Sequence, residues 1–368
     1  MKRVLPLVLA AIMALMLAAP FTVSVSADDP PEDPIAVSVT PFTNGESDSK
    51  DFYSKLTKNG FACRMPAQTN LSSGIRISSE GNRLAALENY TITFCLAVDA
   101  EAAANGWNFS VGYGSAATPD YRNWFASGTL ARYMSETEIY WNSYATRDRA
   151  IARQIGPCIT GGKDVTYQFT VESGKLNKIV LTCDGIVWEN TGYQIDATVG
   201  DFGFTIDSPN ANRARGGVFK TLSVTTASET VYSVDFARAY CEEAIRLNGY
   251  QTKKMDGAGS YDVRFVADIK QELVADAQKV SFAVSASYTD SEHLTPVAVL
   301  EKSFDTYTVY EKILADGEPV NAADDYCFAL FDLTEIPEDV AVTFSVTPRI
   351  TDQNGTVYNG KTVVVALS

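Results

Sequence analysis

The sequence predicts an all-β chain arranged as two tandem β-sandwiches, and two observations carry that prediction. From residue 35 onward apolar and polar residues alternate, as in residues 90–98 (YTITFCLAV), where Ile92 and Phe94 face one side and Thr93 the other. A two-residue period is typical of half-buried strands. Turn dipeptides such as Asp184-Gly185 separate many of these runs, which indicates short antiparallel connections.

The first 27 residues have the pattern of a secretory signal peptide. Lys2 and Arg3 precede an apolar stretch over residues 4–19, and a small-residue segment ends at Ala27, where cleavage is expected. An uncleaved anchor is the alternative, but the apolar stretch is shorter than the roughly 20 residues of a membrane span. Residues 28–34 (DDPPEDP) form an acidic, proline-rich linker. We therefore expect a secreted protein with no membrane span after cleavage.

The acidic balance of the chain limits its partners. Removal of residues 1–27 takes away two of the 30 basic residues and none of the 45 acidic ones, which leaves a net charge of −17. Such a surface repels nucleic-acid phosphates and anionic lipid headgroups. Neutral ligands, cations and proteins remain as partner classes.

The six cysteines do not form a metal or redox motif. No Cys-x-x-Cys pair occurs, and Cys95, Cys183 and Cys327 lie inside strand-like apolar runs. A secreted chain with an even number of cysteines permits disulfides, but a chain of this size does not depend on them. Unpaired core thiols are the favoured interpretation.

The first sandwich is expected over residues 35–229. Within residues 166–190 (TYQFTVESGKLNKIVLTCDGIVWEN), the dipeptides Ser173-Gly174 and Asp184-Gly185 each connect two alternating runs. A type I′ turn needs positive φ at both central positions, which Asp-Gly supplies. We therefore interpret Asp184 as the corner of a hairpin rather than as a functional carboxylate.

This stretch, followed by Gly200–Phe204 (GDFGF) and Phe219–Val224 (FKTLSV), resembles the C-terminal half of a laminin-G or concanavalin-A-like jelly roll. The resemblance covers about residues 60–228. It implies a jelly-roll sandwich and carries little information about the ligand.

The second sandwich is expected over residues 230–368. Residues 235–249 fit a short helix that is capped by Asp235 and ends at Gly249, although their second half is better explained as a strand. Six or seven short strands with turn signals such as Asn354-Gly355 follow, which is the pattern of an immunoglobulin-like sandwich. This region is similar to modules near the C-termini of secreted and cell-surface proteins of Firmicutes, which implies a Gram-positive extracellular setting.

Catalytic groups are scarce. The one histidine, His293, is predicted to lie in a surface loop, so no Ser-His-Asp triad or multi-histidine metal site is expected. Glu136 and Glu138 are spaced to share a strand face, and glycoside hydrolysis requires two carboxyl groups. We interpret the pair as part of a solvated strand and predict that the protein is not an enzyme.

Aromatic residues are dense between Trp107 and Tyr144. Most rings are expected in the core, but rings flanked by amide and guanidinium donors also form sugar platforms. The mixed segment DYRNWF gives the predicted ligand-binding residues Tyr121, Arg122, Asn123 and Trp124.

No cofactor or metal is predicted, and Asp120, Asp201 and Asp207 are interpreted as solvated turn residues. The leading hypothesis is a secreted, non-catalytic protein that binds a polysaccharide or other glycan through its first sandwich. The alternatives are an adhesive surface protein that binds other proteins, and a glycoside hydrolase that uses Glu136 and Glu138.

Overall fold

The structure is a computed structural model, and it describes most of the chain beyond the expected signal peptide. The described residues are 35–43, 51–67, 71–99, 107–114, 129–134, 139–143, 149–153, 163–198, 200–208, 215–255, 257, 259–289, 297–306, 309–311, 326–338 and 340–367. They divide into two compact units, the first ending at Tyr240 and the second running from Cys241 to Ser368. Both units are built from strands, so the predicted all-β sandwich class is confirmed.

The described part of the first unit contains two antiparallel sheets and two short 3₁₀ turns, at Glu80–Asn82 and Ala85–Leu87. Its strands are β1 (Val37–Thr43), β2 (Tyr53–Thr57), β3 (Gly60–Met65), β4 (Leu71–Ser79), β5 (Tyr90–Val98), β6 (Trp107–Gly114), β7 (Thr129–Met134), β8 (Ile139–Ser143), β9 (Arg149–Arg153), β10 (Asp164–Glu172), β11 (Lys175–Cys183), β12 (Ile186–Asp196), β13 (Asp201–Ser208), β14 (Arg215–Thr225) and β15 (Thr230–Asp235). The seven-stranded sheet has the order β1-β4-β13-β6-β7-β8-β9. The eight-stranded sheet has the order β12-β11-β10-β5-β14-β3-β2, with β15 paired to β14.

A layer of aromatic side chains joins the two sheets. Phe94, on β5 of the eight-stranded sheet, is fully buried, and its ring centroid lies 4.8 Å from that of Phe204 on β13 of the seven-stranded sheet. Within its own sheet it stacks on Tyr167 at 5.1 Å and on Phe169 at 5.6 Å. Aromatic pairs at these distances add to the stabilisation that comes from buried area. The alternation of β5 therefore places every second residue in one shared core.

The hairpin turns have the predicted geometry. Asp184 and Gly185 have φ of 47° and 77°, and Ser173 and Gly174 have φ of 50° and 70°. Positive φ at both central positions defines the type I′ turn. Asp184 is thus confirmed as a corner residue, and its exposed carboxylate pairs with Lys163.

The end of the first unit differs from the expected boundary at residue 229. Strand β15 pairs with β14, so residues 230–235 extend the eight-stranded sheet. A helix, α1 (Phe236–Ala244), follows, and the Arg238 amide donates to Asp235 Oδ1 at 2.9 Å. The predicted cap and the predicted change from helix to strand are confirmed. The helix ends at Ala244 rather than at Gly249, which lies at a bulge of the next strand.

The described part of the second unit also contains two antiparallel sheets. Its elements are β16 (Ile245–Met255), β17 (Ser260–Lys270), α2 (Gln271–Ala275), β18 (Ala277–Thr289), β19 (Val297–Thr306), β20 (Val309–Glu311), β21 (Tyr326–Pro337), β22 (Ala341–Asp352), β23 (Val357–Asn359) and β24 (Val363–Leu367). One sheet has the order β16-β17-β21-β20. The other has the order β19-β18-β22-β23, with β24 also paired to β22. Phe265 packs edge-on against Phe344 across the two sheets at 5.5 Å, so the unit is a sandwich with its own core.

Two cysteines have contrasting environments. Cys63 is a buried thiol whose pKa is raised to about 12, chiefly by burial. Cys95 is a thiol on the side of β5 away from the core and is partly exposed, although partial burial raises its pKa too. The expectation of unpaired thiols is therefore confirmed at these two positions. Cys158 and the side chain of Cys327 lie outside the described residues.

Thiol labelling of the native protein should follow this contrast. Because the thiolate is the nucleophile, we expect iodoacetamide at mildly alkaline pH to modify Cys95 and to leave Cys63 unmodified. Peptide mass spectrometry measures both, and labelling in urea, where both should react, is the control. Equal rates at Cys63 and Cys95 in the native protein would contradict the described burial.

Candidate functional site

The residues predicted from the sequence to bind ligand or to catalyse lie outside the described part of the chain. This applies to the predicted ligand-binding residues Tyr121, Arg122, Asn123 and Trp124 and to the alternative catalytic pair Glu136 and Glu138. It applies also to His293, predicted in a surface loop, and to Asp120, interpreted as a turn residue. The structure neither brings them together nor separates them. The described strands that flank the segment DYRNWF are β6 and β7. The candidate site lies on the sheet to which these two strands belong.

One face of the seven-stranded sheet carries the core and the other does not. Phe202, Phe204 and Ile206 of β13 are fully buried in the core. Because successive residues of a strand face opposite sides, Asp201 and Thr205 lie on the other face. We call this side of the seven-stranded sheet the outer face.

The two central strands of the outer face carry only small residues over most of their length. In the register of β13 and β6, Asp201 pairs with Gly114, Gly203 with Gly112, and Thr205 with Ser110. Glycine inside a strand leaves the backbone free for a close approach. Thr205 has no exposed surface although it lies opposite the core. Gly112 and Gly203 are buried as well, so the middle of the outer face, which we call the glycine floor, is not open to solvent.

An ion pair stands beside this floor. Arg76 of β4 donates from Nε to Asp201 Oδ2 at 2.7 Å, and its Nη2 group contacts the same oxygen. The Arg76 side chain is 26% exposed and the Asp201 side chain is 12% exposed. Ser38 of β1 and Ser78 of β4 are directly paired, and their hydroxyl oxygens are 2.8 Å apart. These four side chains form an accessible polar cluster at one end of the floor.

Asp201 and Asp207 are not turn residues, so that prediction was wrong. Both lie in β13, whose alternating pattern extends over residues 201–208. Burial of Phe202 and Phe204 fixes the strand from Asp201 onward. Among the described residues no group of three or more His, Cys, Asp or Glu side chains is placed to hold a metal ion.

The backbone register separates the aromatic residues of the middle region into two sets. Trp107, Phe109 and Trp141 occupy register positions of the core face, together with the buried Tyr113. Burial raises the pKa of Tyr113 well above its usual value, and Tyr90 donates a hydrogen bond to its hydroxyl oxygen.

The second set falls on the outer face. Asp207 pairs with Asn108, Asn108 with Tyr133, and Tyr133 with Tyr140, so these four positions form one row across β13, β6, β7 and β8. The sequence showed a dense aromatic region without showing which rings shared a face. Long-range register supplies that information.

Comparisons with known proteins give no family. No family model and no curated protein matches the chain. Solved structures with similar strand arrangements include an alginate lyase from Pseudomonas aeruginosa, with 17% identity over 49% of this chain and 87% of that chain and a TM-score of 0.30. A legume lectin-like domain from Entamoeba histolytica has 7% identity over 52% of this chain and 90% of that chain, with a TM-score of 0.31. A galectin from Caenorhabditis elegans has 11% identity over 47% of this chain and 99% of that chain, with a TM-score of 0.23. Similarities at these TM-scores carry no argument about function.

No helix within the described ranges is long and apolar enough to cross a membrane.

Proposed function

We propose that this chain is a secreted, non-catalytic binding protein whose first sandwich, a concanavalin-A-like jelly roll, binds a polysaccharide or other glycan on the outer face. The observation that carries the proposal is the partly exposed Arg76–Asp201 ion pair beside the glycine floor. The bound sugar would direct its hydroxyl groups to this ion pair.

The chemistry of the outer face suits sugar hydroxyl groups. A guanidinium offers several donors in a fixed geometry, and a carboxylate offers acceptors, so one ion pair can satisfy both functions of a hydroxyl. The two side chains hold each other in place, which lowers the entropy cost of binding.

The remaining parts of the proposal follow from the sequence and the strand order. The signal-peptide pattern supports secretion, and the single histidine supports a non-catalytic role. In the second unit, β16-β17-β21-β20 and β19-β18-β22-β24 correspond to the A-B-E-D and C′-C-F-G sheets of an immunoglobulin-like domain. That correspondence supports an immunoglobulin-like accessory module, and the sequence resemblance to Firmicutes modules supports a Gram-positive extracellular setting.

Neutralising the outer-face carboxylate should weaken glycan retention strongly. We expect Asp201→Asn to weaken binding to a retained polysaccharide by about tenfold or more, because the ion pair and an anionic acceptor are both lost. The measurement is pull-down of the full chain on a panel of insoluble polysaccharides, followed by depletion isotherms. Asp164→Asn is the matched control, since Asp164 forms an ion pair with Lys220 in the eight-stranded sheet.

Several outcomes would contradict the proposal. Equal retention of Asp201→Asn and the wild-type chain would remove the outer face from recognition, provided that both unfold at the same temperature. Release of reducing ends from the retained polysaccharide would replace the binding role with a hydrolase. Recovery of a protein partner without any polysaccharide retention would favour the adhesive alternative, for which the exposed Ile186 and Val187 on edge strand β12 are the best available surface.

A further inference from the structure

The second unit contains an open cleft that the proposed function does not use. Its volume is about 470 Å³, and it is lined by Tyr250, Thr252 and Lys254 of β16, by Tyr261 of β17, by Glu338, and by the end of β24. Ligand sites of small molecules have volumes of roughly 300–1,000 Å³. The cleft is therefore large enough to hold a small ligand.

The floor of the cleft is one face of an edge strand. Tyr250, Thr252 and Lys254 alternate along β16, so their side chains share one side. In the register of β16 and β17, Tyr250 pairs with Phe265 and Lys254 with Tyr261. Within the described sheet β16 pairs with β17 alone. This edge position leaves Tyr250 44% exposed although its partner Phe265 is fully buried.

An exposed aromatic ring at this position is unusual for the chain. Among the described residues the exposed large apolar side chains are few, and Tyr250 is the one aromatic ring in that group. Its ring centroid lies 6.5 Å from that of Phe265, which fixes it against the core on one side. The other side offers a flat apolar surface to a ligand.

A charged pair lies at the far end of the same row. Lys254 Nζ is 3.1 Å from Glu338 Oε2, and their side chains are 76% and 32% exposed. The backbone amide of Glu338 donates to the carbonyl oxygen of Gly259 at 3.1 Å, which ties the main chain at Glu338 to the turn before β17. An ammonium group donates hydrogen bonds and a carboxylate accepts them. The pair therefore offers a donor and an acceptor to adjacent hydroxyl groups.

We propose that this cleft is a second ligand site, specific for a neutral saccharide. A pyranose stacks its C–H face on Tyr250, the Thr252 hydroxyl bonds its edge, and a vicinal diol bridges Lys254 and Glu338. The two charges compensate each other, so the cleft does not attract an ionic ligand, and the net charge of −17 repels acidic sugars at longer range. The inference extends the proposed function to the second unit and is independent of the outer face.

Replacing Tyr250 with alanine should weaken saccharide binding, whereas replacing it with phenylalanine should have little effect. We expect Tyr250→Ala to lower the affinity of the full chain for the tightest-binding neutral hexasaccharide about tenfold, and Tyr250→Phe to lower it less than about twofold, because stacking needs the ring and not its hydroxyl. Isothermal titration with xylo-, cello- and manno-hexasaccharides supplies the affinities. An alginate hexasaccharide is the acidic comparison and should bind more weakly.

A second variant keeps the proposal testable if Tyr250→Ala is unstable. Glu338→Gln removes the anionic acceptor without changing the size of the side chain, and we expect about a fivefold loss of affinity. Unchanged affinity in both Tyr250→Ala and Glu338→Gln would overturn the proposal. So would preference for the alginate hexasaccharide.

Combined variants separate this site from the outer face. If both sites exist, the losses caused by Asp201→Asn and Tyr250→Ala should combine in the double variant, as for two linked sites. A loss with Tyr250→Ala but none with Asp201→Asn would support the cleft and contradict the outer face. A loss with Asp201→Asn alone would overturn the cleft and leave the outer face as the binding surface.

Discussion

Replacing Phe94 with alanine should lower the free energy of unfolding of the first unit by about 3–5 kcal/mol. Phe94 has no exposed surface, and its ring contacts Tyr167, Phe169, Phe204 and Phe219. Tyr167 and Phe169 lie on β10 and Phe219 lies on β14, the two strands that flank β5. Phe204 lies on β13 of the opposite sheet. Truncation therefore leaves a cavity at the point where both sheets meet, and the surrounding rings can fill only part of it.

Urea unfolding, followed by hydrogen exchange of peptides from each unit, measures this loss. Phe265→Ala is the matched variant in the second unit, where Phe265 is fully buried and packs against Phe331 and Phe344. Each variant should destabilise its own unit, because each sandwich has its own core. Equal destabilisation of both units by Phe94→Ala would contradict the division at Tyr240. Ile186→Ala, at a position 40% exposed, is the surface control and should cost less than about 1 kcal/mol.

The second large effect is expected at Gly74 of β4. A Cβ atom added there would overlap the carbonyl oxygen of Phe204 and stand 2.7 Å from the Cα atom of Thr205. Both atoms belong to the backbone of the paired strand β13, which cannot move aside as a flexible side chain can. Gly74→Ala should therefore push β4 from β13 and destabilise the first unit by about 3 kcal/mol.

Gly185→Ala is the control for this variant. Gly185 has φ of 77°, and an added Cβ atom there meets nothing within 4 Å. Only backbone strain opposes the change, so we expect a cost of about 1 kcal/mol. Chemical denaturation of both variants tests the difference. A smaller loss in Gly74→Ala than in Gly185→Ala would show that the close contact of β4 with β13 is absent. Because Arg76 follows on the same strand, Gly74→Ala should also weaken glycan retention.

Local sequence patterns were sufficient to predict the strands and several of their turns. Asp184-Gly185 forms the predicted type I′ corner because glycine and aspartate tolerate positive φ more readily than other residues. Asp235 caps the helix at Phe236 because its carboxylate reaches the Arg238 amide three residues later. Each of these features depends on residues that are close in sequence, so each could be predicted without a fold.

The candidate site could not be predicted in the same way. Arg76 and Asp201 are separated by 125 residues and meet only because β4 pairs with β13. Asp201 lies in the segment Gly200–Phe204 that carries the jelly-roll resemblance, but that segment does not indicate a partner for its carboxylate. The floor at Gly112 and Gly203 likewise exists only through the register of β6 and β13. Aromatic density directed the prediction to residues 107–144, but face and neighbours follow from pairing over long distances.

The cleft of the second unit shows the same limit. Tyr250 and Glu338 come from strands and turns far apart in sequence, and residues 250–261 contain no binding motif. A strand was predicted here, but its sequence does not show which face carries a ligand surface. Only the edge position of β16 turns that face into a ligand surface.

Hydrogen exchange of the full chain, with and without a soluble form of the polysaccharide that it retains, tests the central claim most directly. Recognition by the outer face predicts slower amide exchange in peptides from β4, β6 and β13, the strands that carry Arg76, Gly112 and Asp201. The Asp201→Asn variant should show no such slowing. Unchanged exchange in these three strands, with slowing confined to β10 and β11 of the eight-stranded sheet or to residues 241–368, would contradict recognition by the outer face.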